Sequence, residues 1–205
     1  MTPVIADMVR VQRLIGCRPK EIRIMRFCDI DRETYEDVWI YTPSTHKTEN
    51  ITNEESPIAI GSRAQTILTP YLMDKADTPE AYLFSPADSV RFQNIEKRRK
   101  RKTLNKNGQV QPSHRNRKKK TPKKVPGDHY TKSSYYLGIA RACKKAGVPR
   151  WHPYQLRKAA AVEARKKGGR DAAQAVMRHK NFKTTETFYA PADFEKAVEF
   201  ARESG

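Results

Sequence analysis

Apolar residues recur at Val4, Ile5, Met8, Val11 and Ile15, the spacing that lays one stripe along a helix. Thr2 precedes this run as an N-cap, Pro3 takes the first helical position and Gly16 closes it. A second helix is expected at once in CRPKEIRIMRF, where Pro19 suits a first turn and Ile22, Met25 and Arg26 share a side. The period then changes. YEDVWIYTP alternates aromatic and β-branched residues, THKTENITNEES is a polar turn region and PIAIG is a second short apolar piece, together predicting a small antiparallel sheet. Helical spacing returns in SRAQTILTPYLMDK, AYLF is short and apolar, and Ser85 with Pro86 opens a helix in SPADSVRFQNIEKRRK. TKSSYYLGIARACKKAG reads as a helix closed by Gly147. VPRWHPYQLRKAAAVEARKKGG reads as another, begun by Pro153 and ended by two glycines. The remaining RDAAQAVMRHKNFKTTETFYAPADFEKAVEFARES is expected to form two or three shorter helices, and no internal repeat stands out. The pattern predicts an α+β fold, mainly helical, with its sheet in the N-terminal half.

Between Lys97 and Lys124 every period is lost: the stretch has no acidic residue and almost no large apolar one, so it cannot bury enough surface to offset its ordering entropy. It reads as a flexible basic insertion, at about 97–128, within one domain spanning 1–205. A solvated tail is the bland reading, and a phosphate-seeking arm the better one, because ordered sequence flanks it on both sides. The chain has 41 Lys and Arg against 23 Asp and Glu, a formal charge of +18, which points to a polyanion as partner, nucleic acid before a membrane surface. No apolar run approaches the ~20 residues of a spanning helix, and no signal-peptide pattern opens the chain, so a cytoplasmic protein is expected. Cys17, Cys28 and Cys143 are odd in number and widely spaced, so they read as free thiols rather than as a disulfide framework or zinc ligands.

Candidate chemistry begins at HPYQLRKAAA. Tyr154 and Arg157 lie three apart at the start of the helix that Pro153 opens, where unpaired backbone N–H groups favour an anion. Arg157 taken alone is better read as capping a neighbouring helix or pairing with Glu163. Other residues change that balance: Arg18 beside a helix start in GCRPKEI, Lys47 at a hairpin tip in STHKTEN, and His179 and Tyr189 in VMRHKNFKTTETFYA.

In this order the chain resembles the catalytic domain of the tyrosine recombinase, or phage integrase, family over nearly its whole length apart from the basic insertion. The motifs are G-x-R-x-x-E at Gly16, Arg18 and Glu21, a hairpin lysine at Lys47, an H-x-L-R-type box ending at Arg157, and a later histidine at His179. T-T at Thr184 and Thr185 precedes the tyrosine, Tyr189. The resemblance implies a DNA breaking-rejoining fold and metal-free, cofactor-free phosphoryl transfer on double-stranded DNA. Tyr189 would attack a backbone phosphate to leave a 3′-phosphotyrosyl enzyme and a free 5′-hydroxyl. Arg18 and Arg157 would hold the non-bridging oxygens, His179 would donate a hydrogen bond to one of them, and Lys47 would protonate the departing 5′-oxygen. Tyr130, Tyr135 and Tyr136 have apolar neighbours and are expected in the core or groove instead.

The chain departs from the family at three places. Tyr154 stands where the box has its histidine and would take its catalytic place, donating a hydrogen bond to phosphate but carrying protons poorly near neutral pH, with His152 two residues earlier; Lys158 replaces a common histidine; and Arg178 stands where relatives have the glycine of Gly-His. The resemblance further implies a monomer that assembles into a tetramer on DNA, acting at the nucleoid of a prokaryotic-type cell, to integrate or excise mobile DNA. A catalytically weak non-specific DNA binder and a type IB topoisomerase-like activity are the alternatives. Because Met1 and Thr2 lead straight into the catalytic region, the family's N-terminal DNA-clamping domain is expected to be absent. Phosphate contacts from the basic segment are expected at Arg98, Arg99, Arg101, Arg115, Arg117, Lys118, Lys119 and Lys120.

Overall fold

A computed structural model describes residues 1–44, 57–100 and 125–178, together with Arg202. Helix α1 runs Pro3–Ile15, between Thr2 as N-cap and Gly16 as a left-handed C-cap. The predicted stripe is the buried one, Val4, Ile5, Met8, Val11 and Ile15, and Gln12 is buried with it. Helix α2 covers only Pro19–Arg23, shorter than the sequence suggests. The chain leaves it so that Met25 can accept Leu83 N–H through its carbonyl, at 2.8 Å, while Arg26 bridges to Tyr82. Met25 is buried as its period requires, but Arg26 is not on its helical face.

A 3-10 turn at Phe27–Asp29 leads into β1, Ile30–Asp31, which pairs antiparallel with β2, Trp39–Tyr41, and β2 pairs with β3, Ile58–Ile60. The order is β1-β2-β3, and the two-residue β1 was not legible in the sequence. Ile30 opposes Tyr41 and Tyr41 opposes Ile58, which puts all three buried side chains on one face of the sheet. The sequence joining β2 to β3 includes Lys47, which lies outside the described residues.

Helix α3, Ser62–Asp74, buries Ala64, Leu68 and Leu72. Helix α4, Pro86–Arg99, is capped by the Ser85 hydroxyl, which accepts from Ala87 N–H. It extends through Lys97, Arg98 and Arg99, so these are its last turn and not part of an irregular loop. Helix α5, Lys132–Ala146, ends at left-handed Gly147 as expected. Helix α6, Pro153–Met177, is interrupted at Gly169, with φ of +75°, at the glycine pair that marks a helix end in the sequence. Its second part packs back through Ala173 and Met177 onto Ala161.

Helix α1 is the hub, in contact with α2, α3, α4, α5, α6 and β3. Gln12 ties two of these together: its amide donates to the Cys17 and Pro153 carbonyls at 3.3 and 3.1 Å, and its side-chain oxygen accepts from Tyr135 O–H at 2.8 Å. Tyr130 and Tyr135 are buried and Tyr136 is half-buried, in line with their expected structural roles. Cys17 and Cys143 are buried and Cys28 exposed, all three free. Among the described residues no helix is long and apolar enough to cross a membrane.

Gly16 sits where α1 meets the end of α6. Its φ is +65°, and a Cβ there would lie 2.6 Å from Val176 Cγ1 and 3.3 Å from Ala160 Cβ. Gly16→Ala is therefore expected to lower stability by about 2–4 kcal/mol, combining left-handed strain with overpacking. Urea denaturation measures it, and a loss below about 0.5 kcal/mol would mean that α6 moves aside freely.

Candidate active site

The turn between α1 and α2 carries Arg18 as the N-cap of α2. Its backbone N–H donates to Glu21 Oε2 at 2.6 Å and its Nη1 to Glu21 Oε1 at 2.9 Å. This is the N3 half of a capping box, and it explains why a glutamate stands three residues after the arginine. Glu21 is only 2% exposed, and its own carbonyl accepts from Tyr41 O–H at 2.8 Å, which ties α2 to the sheet.

Arg157 reaches the same place from α6. It is 3% exposed, and its Nη1 donates to Gly16 O at 2.7 Å while its Nη2 donates to Met177 O. One guanidinium thus joins the C-terminus of α1 to the C-terminus of α6, where carbonyls lack helical partners. Arg178 follows as the left-handed C-cap of α6, with φ of +49°, and its Nη2 donates to Glu21 Oε2 at 2.6 Å. Arg18 and Arg178 thus converge on the carboxylate of Glu21, with Arg157 close enough to feel all three charges.

The electrostatics follow from this crowding. Burial, then the Arg18 and Arg178 charges, push the Arg157 guanidinium down to about 10, against the opposing pull of Glu21. It stays charged at neutral pH, but the folded protein holds that proton less readily than the unfolded chain does. Burial alone would raise the Glu21 carboxyl; the Arg178 charge and the hydrogen bonds from Arg18 and Arg178 outweigh it and hold the group below its ordinary value. Burial, followed by the Glu21 charge, pushes the neighbouring Cys17 thiol well up, so it remains neutral.

Tyr154 is 52% exposed in the first turn of α6, whereas Arg157, one turn deeper, is buried with its donors on the Gly16 and Met177 carbonyls. The anion position that the sequence suggests on the first-turn N–H groups is also partly occupied, since His152 N–H donates to Gln155 Oε1 at 2.6 Å. Arg157 therefore faces the end of α1 and the returning C-terminal end of α6 rather than the first-turn N–H groups. Glu163, weighed above as a partner for Arg157, instead pairs with Arg13 at 2.8 Å and Lys167 at 2.9 Å. His152 is exposed, with its ring 5.7 Å from that of Tyr136.

Lys47, His179 and Tyr189 lie outside the described residues, as do Arg101, Arg115, Arg117, Lys118, Lys119 and Lys120. Arg98 and Arg99 are exposed on the last turn of α4, and Arg99 pairs with Glu96 at 3.2 Å. Gln12 and Arg178 are the two residues at the site that sequence reasoning did not select. Arg178 had a signal: a position where relatives carry glycine is one where a left-handed backbone is to be expected.

The fold, mainly helical with a three-stranded antiparallel sheet, is that of a tyrosine-recombinase catalytic domain. Residues 5–196 match the phage integrase family, and the chain belongs to it. Among solved structures it is similar to XerH site-specific recombinase bound to difH substrate, a pre-cleavage complex. That match has a TM-score of 0.56 and 11% identity, and covers 96% of this chain and 45% of that one. It is also similar to XerH bound to palindromic difH substrate, a post-cleavage complex. There the TM-score is 0.58 at 12% identity, with 97% and 46% covered. The chain thus spans less than half the length of these structural neighbours. Among curated proteins none matches it significantly by sequence.

Proposed function

We propose that this chain is the catalytic domain of a site-specific tyrosine recombinase that cuts and rejoins duplex DNA to integrate or excise a mobile element. The observation that carries the reading is the convergence of Arg18 and Arg178 on Glu21 beside the buried Arg157, which is held at about 10 by burial and by its neighbours' charges. A buried cation that is costly to keep protonated is relieved by an anion, and a phosphodiester is the anion that a basic chain of this family meets. Arg157 spends two of its five N–H donors on Gly16 and Met177, leaving others for a phosphate oxygen.

In the proposed reaction the Tyr189 hydroxyl attacks phosphorus, the bond from phosphorus to the 5′-oxygen breaks, and the DNA becomes a 3′-phosphotyrosyl ester. Lys47 gives its proton to the departing 5′-oxygen, while the phenol proton leaves to a base during attack. Negative charge grows on the non-bridging oxygens, where Arg18, Arg157 and His179 receive it. The bond energy is kept in the ester, so rejoining by another 5′-hydroxyl needs no nucleotide cofactor.

The basic segment from Lys97 to Lys124 serves as an electrostatic arm on duplex DNA, reading charge and not sequence. Recombination needs two duplexes and four strand cuts, which a tetramer of monomeric subunits on DNA supplies, at the nucleoid of a prokaryotic-type cell.

The test uses nicked duplexes from the DNA flanking the protein's own gene, arranged so that the short 5′-hydroxyl fragment diffuses away after cleavage. Without divalent metal, a covalent protein–DNA adduct is expected, and mass spectrometry of the digested adduct should place the nucleotide on Tyr189. Binding without any adduct would favour the weak non-specific binder, and relaxation of supercoiled plasmid without site preference would favour the topoisomerase-like activity.

A further inference from the structure

We propose that Arg178 is a positioning residue for the two phosphate-holding arginines, setting Arg18 through Glu21 and Arg157 through the Met177 carbonyl; the proposal rests on the phosphate-site reading above. Arg178 is the only described non-glycine residue with a positive φ, at +49°. A left-handed C-cap ordinarily takes glycine, because any Cβ there is crowded, so an arginine at this place carries a conformational cost that glycine would not. Its side chain has a specific partner to offset that cost. Nη2 of Arg178 lies 2.6 Å from Glu21 Oε2, with the two side chains 10% and 3% exposed.

Glu21 Oε2 is the same oxygen that accepts the backbone N–H of Arg18 at 2.6 Å, while Oε1 takes Arg18 Nη1 at 2.9 Å. Both oxygens of the carboxylate are thereby engaged, and the Arg18 guanidinium is oriented by a group that Arg178 holds from 157 positions away in sequence. The second connection runs through the backbone. Met177 O, which accepts from Arg157 Nη2, belongs to the peptide plane that joins Met177 to Arg178. Arg178 N–H anchors that plane on Ala175 O at 3.1 Å. One residue thus fixes a carbonyl under Arg157 and a carboxylate under Arg18.

Among the described residues, the groups facing Glu21 are Arg18 at the N-cap of α2, Arg157 on α6 and Arg178 at its C-cap, Cys17 in the turn before α2 and Tyr41 on β2. A charge-only account of this cluster and a positioning account make opposite statements about Glu21. If charge alone mattered, Glu21→Gln would remove a negative group and tighten anion binding. If Glu21 and Arg178 act as a unit that orients Arg18, it weakens it.

The experiment measures inorganic phosphate affinity by calorimetry, and the Glu21 carboxyl titration by carbon NMR. It compares the parent chain with Arg178→Gly, Arg178→Lys, Glu21→Gln and the Arg178→Gly/Glu21→Gln pair. Glycine suits the left-handed turn, so Arg178→Gly should keep its circular dichroism spectrum. Phosphate binding is expected to weaken about tenfold in Arg178→Gly and in Glu21→Gln, with the double variant no weaker than either single one. Arg178→Lys should recover part of the loss, and the Glu21 midpoint should rise in Arg178→Gly. Tighter binding in Glu21→Gln, or losses that simply add, would overturn the proposal. Should the parent bind no phosphate, the phosphate-site reading fails by itself, and an unmoved Glu21 midpoint in Arg178→Gly would separately overturn the clamp.

Discussion

Arg157→Lys is expected to slow formation of the covalent DNA adduct by about 10²–10³-fold while changing duplex affinity only a few-fold. The guanidinium of Arg157 donates to Gly16 O and to Met177 O from separate nitrogens, and on the proposed mechanism offers its remaining donors to phosphate. An ammonium on a shorter, rounder head group cannot span two carbonyls and still present a fixed pair of donors to a third partner. The duplex is gripped by many phosphate contacts, so losing one matters little for binding; the transition state concentrates charge at this one place, so it matters for rate. Leaving a buried carbonyl unsatisfied should also cost the fold about 1–3 kcal/mol. Single-turnover adduct formation and urea melts measure the two effects. A lysine variant that cleaves within threefold of the parent would mean that Arg157 is a structural tie between α1 and α6 and nothing more.

Glu21→Ala is expected to be the most damaging single change for stability, by about 3–5 kcal/mol at neutral pH, because it removes the carboxylate and leaves buried guanidiniums facing each other. Arg178 and Arg18 both lose a hydrogen-bonded partner, and Arg157 loses the Glu21 charge that raises its proton affinity. The pH dependence follows from the direction of the Glu21 shift. Its folded carboxyl is held below the ordinary value, so its contribution is present in full above the unfolded pKa and is lost as pH falls through the folded one. The deficit of Glu21→Ala relative to the parent should therefore be widest near pH 7 and narrow on acidification, since the parent's own carboxylate is then protonated. Urea melts of both proteins at neutral and acid pH decide this. A deficit constant across that range would place the stabilisation in packing rather than in the carboxylate's charge.

Gly16 and Arg157 show why part of the site was legible from sequence. Gly16 ends a helix by a local rule, and Arg18 with Glu21 follows as an N-cap and its N3 acid, so the spacing of that motif is also the spacing of one helical turn. Tyr154 was harder. Three-residue spacing puts it near Arg157 on a helical wheel, but exposure separates a 52% tyrosine from a 3% arginine, and no local pattern distinguishes the two depths. Gln12 lies outside the apolar spacing, and its burial makes sense only once Pro153 and Tyr135 supply its partners, 141 and 123 positions away.

Local grammar was legible in the chain alone: the start and stop of α1, the caps of α4 and α5, the break at the glycine pair in α6 and the short apolar strands. Each depends on residues within about four positions, or on a single residue's allowed backbone angles. The family motifs added Arg18 and Arg157, and with them the expectation of a phosphate site. How those arginines come together is a matter of the fold, because the contacts join residues 16, 18 and 21 to residues 157, 177 and 178 across separations that leave no periodic trace. The sequence marks Arg178 as standing at a glycine position, but not what its side chain holds. Arg178 becomes the keystone of a guanidinium cluster only when the fold sets the end of α6 against α2 and places a buried carboxylate within 2.6 Å of its tip.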